Sequence, residues 1–334
     1  MEKPVVSIII PTYNEEKHLA SCLQSIYQQD FSRKSIEIII IDDGSTDETI
    51  RIAKKYSARM VHSGHKHIER SKSMGIQESK GKYLFFIDAD IRLIDKNIIS
   101  SAVNLLDSNN QIVAAQCIYW HYDKKHSIVN RYCELFGIND PLPYYLKKRG
   151  IRSFLDNGWI YPDTLIKETT LYYLTQFHSN NLPTLGSQGY LCRSNSIRQY
   201  THWHPYFFHL DATKELVDKN FNTFAMLKRS VEHDYVDSIG QFYKKLYRNL
   251  ELFYTYRSYR TYDYDIKPVT FFIVLIQMMT VIRPLIDSVR GYIKKPDIAW
   301  FLHPIFCITV PILYIFVTFK YIIGKSLIKK HTYK

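Results

Sequence analysis

The chain has 334 residues, which is more than one average domain, and its composition of 46% apolar and 15% aromatic residues excludes a disordered chain and a small disulfide-stapled scaffold. It carries 44 lysines and arginines against 32 aspartates and glutamates, so the formal net charge is +12. Up to Asp140 there are 18 basic and 18 acidic residues, and the whole excess lies in the remaining 194 residues. A neutral first part and a basic second part indicate two different roles.

The first 90 residues alternate between short apolar runs and helix-like stretches. Residues 5–10, 36–41 and 83–87 are apolar on both faces, which predicts strands of a sheet covered on both sides. Apolar residues at helical spacing predict a helix over residues 15–29, and a capping sequence predicts another over 46–56. This alternation indicates an α/β fold with a mostly parallel central sheet, in which ligands bind at the carboxyl ends of the strands.

Beyond residue 107 the periodicity weakens, and we predict helices at residues 210–220 and 238–254 within a mixed region. Two uncharged apolar runs follow, one of 14 residues at 269–282 and one of 22 residues at 298–319. The second run is long enough to cross a bilayer core about 30 Å thick, whereas the first is marginal. The alternative for the first run is a buried core helix or an interfacial segment.

The chain therefore divides into three predicted regions: a first half of the α/β domain at 1–110, a second half at 111–265, and a C-terminal hydrophobic helical hairpin with a basic tail at 266–334. Tyrosines and arginines before the hairpin and lysines after it favour a membrane interface and a tail in the cytosol. Five scattered cysteines without a C-x-x-C pair favour a reducing compartment. The apolar run near the amino terminus is too short for a signal peptide. We expect membrane localisation with the α/β domain in the cytosol.

Polar loops follow the three predicted strands, at residues 11–15, 42–45 and 88–90. Because the carboxyl ends of parallel strands meet at one edge of a sheet, we expect these loops to lie together, where a nucleotide can bind. Asp88 and Asp90 are separated by one small residue and can hold a divalent cation that neutralises a diphosphate. The alternatives are that this spacing arises by chance and that residues 42–45 form only a turn with a helix cap.

The order and spacing of these segments resemble those of the family 2 glycosyltransferases. The matching stretches are VVSIIIPTYNE at residues 5–15, IIIDDGSTD at 39–47 and GKYLFFIDAD at 81–90, so the resemblance covers roughly residues 5–92. It implies a GT-A fold, a nucleotide-diphosphate-sugar donor such as a UDP- or GDP-sugar, a Mg²⁺ or Mn²⁺ ion, and inversion at the anomeric carbon.

The same resemblance implies roles for individual residues. Tyr13 and Asp43 would contact the base, Glu15 the nucleoside side of the pocket, and Asp88 the ribose or the sugar. Asp90 would bind the metal that bridges the diphosphate. The full set of donor-binding residues would be Pro11, Tyr13, Glu15, Asp43, Lys72 and Asp88.

One motif departs from the family pattern. Residues 71–76 read SKSMGI where the family commonly has Ala-Arg-Asn-x-Gly-Ile, so Lys72 stands in for the arginine. Lysine can still oppose a phosphate as a point charge, although it lacks the planar fork of a guanidinium. We predict that Lys72 stabilises the departing diphosphate. The alternative is a lysine on a solvated helix face.

An inverting transfer also needs a base for the acceptor proton, and the family usually takes it from a Glu-Asp pair on a helix after a glycine-rich acceptor loop. Residues 185–193 resemble that loop, and Asp211 is the predicted base, although Leu210 replaces the preceding glutamate. The rival candidates are Glu215, Glu232 and Asp234. An acceptor that is a lipid phosphate is already ionised and needs a base less.

His233 resembles a later histidine of the family and is a predicted metal ligand, although a lone histidine is more often structural. Together these features predict a membrane-associated inverting glycosyltransferase that acts on a lipid-linked or polyprenyl-phosphate acceptor at the cytosolic face, with no nucleic-acid partner. The alternative is a basic protein that binds membranes or nucleic acid and whose GT-A-like half has lost activity.

Overall fold

The computed structural model describes residues 3–65, 67–186, 188–262 and 267–331, with side chains up to residue 323. The chain forms two compact units. The first unit comprises Met1–His121, Arg149–Arg152 and Asp156–Asp234. The second comprises Tyr122–Lys148, Ser153–Leu155 and Tyr235–Lys334.

The first unit is built on one large mixed sheet. Its strands, among the described residues, are β1 (Val6–Thr12), β2 (Ile36–Asp42), β3 (Arg59–His62), β4 (Tyr83–Ile87), β5 (Ile91–Leu93), β6 (Ile112–Trp120), β7 (Leu165–Glu168), β8 (Tyr172–Gln176), β9 (Gln188–Arg193) and β10 (Thr223–His233). Their order is β3-β2-β1-β4-β9-β6-β10-β8-β7, with β5 paired to β10. The four strands from β3 to β4 are parallel, whereas β9 runs antiparallel to both of its neighbours.

Helices cover the sheet and complete the second unit. Those of the first unit are α1 (Leu19–Tyr27), α2 (Thr49–Lys55), α3 (Ile68–Glu78), α4 (Ile98–Ser108), α7 (Ser194–Tyr200) and α8 (His209–Asp218). Those of the second are α5 (Ile128–Phe136), α6 (Pro141–Tyr145), α9 (Ile239–Thr255), α10 (Pro268–Met279), α11 (Ile282–Lys294) and α12 (Leu302–His331). The three predicted strands and the four predicted helices of the region before residue 265 are confirmed within a few residues at their ends.

Helix α3 lies directly on the sheet because a glycine faces β1. A Cβ atom at Gly75 would lie 2.3 Å from Cγ2 of Ile9, so a larger residue would push the helix away from the strand. Ile9 is fully buried in the middle of β1. This close contact fixes the height of α3 above the strand ends, and with it the position of Lys72, three residues earlier on the helix.

Most of residues 185–193 do not form a loop, so the prediction of an acceptor loop there is wrong over most of its length. Residues 188–193 form β9, which is hydrogen-bonded between β4 and β6. Tyr190, Leu191 and Cys192 are buried there, since they are apolar and lie in the centre of the sheet. Gly189 has φ +75°, a backbone conformation that favours glycine. Ser187, also part of that predicted loop, lies outside the described residues.

The two C-terminal apolar runs form helices. The run at 269–282 covers α10 and the first residue of α11, and the two helices meet at an angle of 64°. Ile298–Ile323 forms a 3-10 turn and most of α12, and it has the length and apolar composition to cross a membrane. The side chains of the predicted basic tail beyond residue 323 lie outside the described part of the chain.

Candidate active site

Asp42 holds the turn that follows β2. Its carboxylate accepts hydrogen bonds from the hydroxyls of Thr12 and Ser45, at 3.2 and 2.5 Å, and from the backbone N–H groups of Gly44 and Ser45, both at 3.0 Å. Its side chain therefore builds the turn, as the simpler sequence interpretation proposed for this segment. The carboxylate of the next residue, Asp43, makes a different contact.

Asp43 joins this turn to α3. The Oγ of Ser71 lies 2.8 and 2.9 Å from the two oxygens of the carboxylate. Burial raises the pKa of Asp43, and the hydrogen bond from Ser71 opposes that shift only in part. Because Ser71 directly precedes Lys72, the contact places the predicted base-binding carboxylate beside the predicted phosphate-binding lysine.

Lys72 is a buried cation, with only 4% of its surface exposed. Its Nζ lies 3.7 Å from Oδ1 of Asp88 and 3.5 Å from Oε2 of Glu69. Burial opposes the charge of Lys72, but the two carboxylates outweigh it and raise the pKa of the side chain. The alternative of a solvated helix lysine is therefore wrong, because this ammonium group is charged and enclosed.

Asp90, which lies between β4 and β5, is close to His233 at the end of β10. His233 is the last residue of β10 and pairs in register with Ile91 of β5, directly after Asp90. Nε2 of His233 lies 3.6 Å from Oδ2 of Asp90, and the ring of Trp120 packs edge-on against the histidine. Among the described residues no group of three or more His, Cys, Asp or Glu side chains forms a metal site.

The loop after β1 is tied to the loop after β2. The backbone N–H of Asn14 donates to Oγ of Ser45 at 2.9 Å, and Oδ1 of Asn14 accepts from the N–H of Thr46 at 2.8 Å. Pro11 lies inside β1, opposite Ile41, whereas Tyr13 lies beyond the strand end with 45% of its surface exposed. The loop after β1 thus presents an exposed aromatic ring at the strand end.

Comparisons with known proteins identify the fold and the family of the region that contains these strand ends. Residues 7–169 match the sequence family described as Glycosyl transferase family 2. Residues 7–169, just under half of the chain, therefore form a family 2 glycosyltransferase domain. A Pyrobaculum calidifontis mannosyltransferase, PcManGT, solved with GDP-Man and Mn²⁺, superposes with a TM-score of 0.52 at 12% identity, covering 94% of this chain and 88% of that one. The predicted GT-A fold is confirmed.

Curated relatives match over a limited part of their length. The uncharacterized glycosyltransferase YibD of Escherichia coli is 38% identical over 90 residues, which are 25% of this chain and 26% of YibD. TarS of Staphylococcus aureus, a poly(ribitol-phosphate) beta-N-acetylglucosaminyltransferase, is 28% identical over 113 residues, or 32% of this chain and 20% of TarS. The matched region thus spans about a quarter or less of either relative.

In the first unit, Asp211 is buried in the first turn of α8. The start of α8 lies near Lys72: burial, and then the positive charge of Lys72, lower the pKa of His209 well below its usual value. His209 is also packed edge-on against Phe86 of β4 and against Phe207. The helix that carries the predicted base therefore begins within the electrostatic reach of the buried lysine.

The three rival bases contact other side chains. Glu215 accepts from the backbone N–H of His202 and lies 2.7 Å from its Nδ1. Glu232 forms an ion pair with Arg92 across β5 and β10. Asp234 lies 3.4 Å from Nε2 of His18. Asp211 stays the predicted base of the domain.

His18 is a site residue that sequence analysis missed. Its Nδ1 lies 3.0 Å from Oε2 of Glu15, and its Nε2 faces Asp234, so the imidazole bridges the loop after β1 and the end of β10. The hydrogen bonds to Asp234 and Glu15 raise the pKa of His18 to about 10. The spacing of Glu15 and His18, three residues apart at a helix start, was the available signal, but Asp234 is distant in the sequence.

Replacing His18 by glutamine should destabilise the domain in a pH-dependent way. The folded state holds the His18 proton more tightly than the unfolded state, so the bridge contributes fully below pH 6.5 and is lost as the pH rises toward 10. We expect His18→Gln to lower the free energy of unfolding by about 1 kcal/mol at pH 6. Urea unfolding in detergent at a series of pH values measures the difference, which should shrink with rising pH. His178→Gln, at an exposed histidine, is the matched control, and an equal, pH-independent loss in both variants would contradict the bridge.

Proposed function

We propose that this protein is an inverting glycosyltransferase that moves a sugar from a UDP- or GDP-sugar to a lipid-linked or polyprenyl-phosphate acceptor at the cytosolic face of a membrane. The observation that carries the proposal is the buried, charged Lys72 held by Asp88 and Glu69 beside the strand-end carboxylates of a family 2 domain. The cation proposed at Asp90 would offset the two carboxylates, so that Lys72 can oppose an anionic ligand such as a diphosphate at this edge of the sheet.

The donor would lie across the ends of β1, β2 and β4. Tyr13 and Asp43 would bind the base, Glu15 the nucleoside side and Asp88 the ribose or the sugar, with Pro11 shaping the pocket. The exposure of Tyr13 and the link from Asp43 through Ser71 to α3 support this arrangement. Lys72 would lie against the diphosphate and stabilise the negative charge that grows there as the sugar leaves.

Asp90 and His233 fit a divalent cation. They supply one oxygen and one nitrogen donor 3.6 Å apart, and diphosphate oxygens and water can complete the coordination of Mg²⁺ or Mn²⁺. When bound, the ion would offset charge on the departing diphosphate. The Pyrobaculum mannosyltransferase was solved with GDP-Man and Mn²⁺, which supports a metal in this fold.

Asp211 would accept the proton of an acceptor hydroxyl as the new glycosidic bond forms on the opposite face of the sugar from the diphosphate. An acceptor phosphate would attack already ionised, and Asp211 would then orient it without taking a proton. The apolar helices of the second unit support a lipid acceptor, because an enzyme held at a bilayer meets such acceptors at high local concentration.

Nucleotide-sugar hydrolysis by the purified chain tests the proposal. With UDP- and GDP-sugars, we expect slow hydrolysis that requires Mn²⁺ or Mg²⁺ and stops with EDTA. A thermal-shift panel of the same donors identifies the base and sugar, since a ligand that binds only the folded state stabilises it. Neither hydrolysis nor stabilisation by any donor would favour the alternative, an inactive basic protein that binds membranes or nucleic acid.

Replacing Asp43 by alanine should weaken donor binding. The variant loses the carboxylate that would contact the base, so we expect the dissociation constant for the donor to rise by about tenfold or more, which corresponds to loss of one good hydrogen bond to a charged group. Isothermal titration with the best donor from the panel measures it. Ser71→Ala removes the hydroxyl that holds Asp43 and should have a smaller effect in the same direction. An unchanged dissociation constant in Asp43→Ala would reject the base-binding role.

A further inference from the structure

Helix α11 has the reverse of the usual surface arrangement. Its polar and small residues face inward, and its apolar residues face outward. The buried residues are Pro284, Asp287, Ser288 and Gly291. The exposed apolar residues are Ile282, Leu285, Ile286, Val289 and Ile293, of which Ile293 is 75% exposed. A helix on the surface of a protein in water has its apolar stripe toward the core instead.

Specific contacts hold α11 in this orientation. Ser288 donates a hydrogen bond to the backbone oxygen of Trp300 at 2.7 Å. A Cβ atom at Gly291 would lie 2.4 Å from the ring of Trp300, so only glycine allows this approach. Asp287, fully buried, accepts from Tyr145 at 3.4 Å. A rotation that buried the apolar face would break these contacts, and the outward apolar face is therefore part of the fold.

The neighbouring helices α10 and α12 also expose apolar side chains. On α10 these are Val269, Phe272, Ile273, Ile276 and Met279. On α12 they are Ile305, Ile312, Ile315, Phe316, Phe319, Ile322 and Ile323, whose spacing places them on one side of the helix. An apolar surface of this extent is not left in water by a soluble monomer.

The other side of α12 is covered by α9. The ring of Phe242 stacks on Phe306 at 4.4 Å, Tyr254 bonds to Thr318 at 2.6 Å, and Lys320 pairs with Glu251 at 3.0 Å. Helix α9 therefore runs alongside α12 from Phe306 to Lys320. The exposed side of α9 is hydrophilic, with Gln241, Lys244, Arg248 and Asn249. If α12 crossed a bilayer here, these charged side chains would enter the hydrocarbon, which strongly disfavours them.

We propose that the outward apolar side chains of α10, α11 and α12 insert into a single leaflet of a lipid bilayer, with α11 lying in the plane of the membrane near the lipid phosphates. This inference rests on the membrane attachment proposed above. It replaces the membrane-spanning hairpin predicted from the sequence with an insertion into one leaflet. Water then covers the hydrophilic side of α9, and lipid covers the apolar sides of the other three helices.

Charges on α11 match a phosphate layer. Arg283 and Arg290 are both about half exposed, and both pair with the buried Asp287, at 3.2 and 3.7 Å. Two guanidinium groups on one carboxylate leave a net positive charge on these half-exposed side chains. Lys294 adds a further exposed cation at the end of the helix. Anionic headgroups would bind these groups while the adjacent isoleucines enter the acyl region.

Vesicle flotation of the full-length chain tests the apolar contact. The double variant Ile286→Glu/Ile293→Glu places two charges on the proposed membrane face. The matched control Ile166→Glu/Leu171→Glu makes the same change at two apolar residues of the first unit, which are 53% and 50% exposed. With vesicles of phosphatidylcholine and phosphatidylglycerol, the partition coefficient should fall by about tenfold or more in the α11 variant and stay unchanged in the control. Equal flotation of wild type and the α11 variant would overturn the proposal.

Two further readouts address charge and depth. Arg283→Gln/Arg290→Gln should lose the preference of wild type for anionic over neutral vesicles, and an unchanged preference would reject the phosphate contact. A fluorophore on Val289→Cys should be quenched more by nitroxides at the lipid headgroup than by nitroxides at the acyl end. The five native cysteines are buried and do not compete for the label. Stronger quenching by the deep nitroxide, or none, would overturn the in-plane position of α11.

Donor binding and light scattering in detergent separate this inference from its alternatives. Loss of flotation with unchanged donor binding in Ile286→Glu/Ile293→Glu supports the inference. Flotation of wild type without any donor binding would reject the proposed enzymatic function and leave the membrane contact standing. If the same variant turns an oligomer into monomers while its flotation stays at the wild-type level, a second copy of the chain covers this face and the proposal is wrong.

Discussion

Asp90→Ala should lower the rate of sugar transfer by about 100-fold or more, the loss expected when one electrostatic stabiliser of a transition state is removed. Asp90 supplies the carboxylate oxygen of the proposed metal pair with His233. Without it, charge on the departing diphosphate is less well neutralised, so the effect should appear in kcat at saturating donor. Initial rates of transfer to a polyprenyl-phosphate acceptor, measured over a range of Mn²⁺ concentrations, give this value.

A binding measurement makes the metal assignment independent of activity. Calorimetric titration of Mn²⁺ in the presence of the nucleoside diphosphate should show weaker binding in both Asp90→Ala and His233→Ala. Asp163→Ala, at an exposed aspartate of the same unit, is the matched control and should behave as wild type. Near wild-type turnover by Asp90→Ala at saturating donor, or unchanged Mn²⁺ affinity, would reject Asp90 as a metal ligand.

Asp211→Asn should reduce transfer to a hydroxyl acceptor by about 100- to 10,000-fold, the range typical for loss of a general base. The asparagine keeps the size of the side chain and removes its basicity, so donor affinity should stay unchanged. Asp211 is buried near the start of α8. Unchanged donor affinity in Asp211→Asn would show that the loss belongs to the proton transfer and not to the fold. Single-turnover rates with saturating donor measure it directly.

The interpretation of Asp211→Asn depends on whether the acceptor is a hydroxyl or a phosphate. Asp218→Asn changes the last residue of the same helix, where the carboxylate pairs with Lys214 on the surface, and should retain activity. A phosphate acceptor brings its own negative charge, so Asp211→Asn should lose much less activity with it than with a hydroxyl acceptor. Normal transfer by Asp211→Asn to both acceptor types would show that Asp211 is not the base.

Sequence analysis located the strands that carry the site, because β1, β2 and β4 are continuous apolar runs of the kind that parallel sheets bury. The sequence patterns did not predict β3, two of whose four residues are exposed, or β5, β6, β7, β8 and β10, and they indicated a loop where β9 lies. Strand β9 contains a glycine with positive φ and follows another glycine in the sequence, Gly186, so local composition favoured a loop. Its place between β4 and β6 depends on strands far away in the chain.

The candidate site likewise contains residues whose position could be predicted from the sequence and residues whose contacts could not. Asp43, Asp88 and Asp90 stand next to strand ends, and a strand end is defined by local periodicity, so their place at one edge of the sheet could be predicted. The partners of Lys72 could not, since the sequence fits an exposed helix lysine as well as the buried one. His18 was missed because its second carboxylate, Asp234, reaches it only through the pairing of β10 with β5.

The sequence by itself determined the resemblance to the family, the edge of the sheet where the polar strand ends meet, and the presence of two apolar C-terminal segments, because short motifs and apolar periodicity are local properties of the chain. The tertiary structure alone decided that Lys72 is enclosed by Asp88 and Glu69, that His233 meets Asp90, and that α11 faces outward with its apolar side. Periodicity shows that a helix has an apolar face but not what covers it. What covers the apolar face depends on which side of the helix fits the neighbouring elements. On α11 the side with Ser288 and Gly291 fits against Trp300.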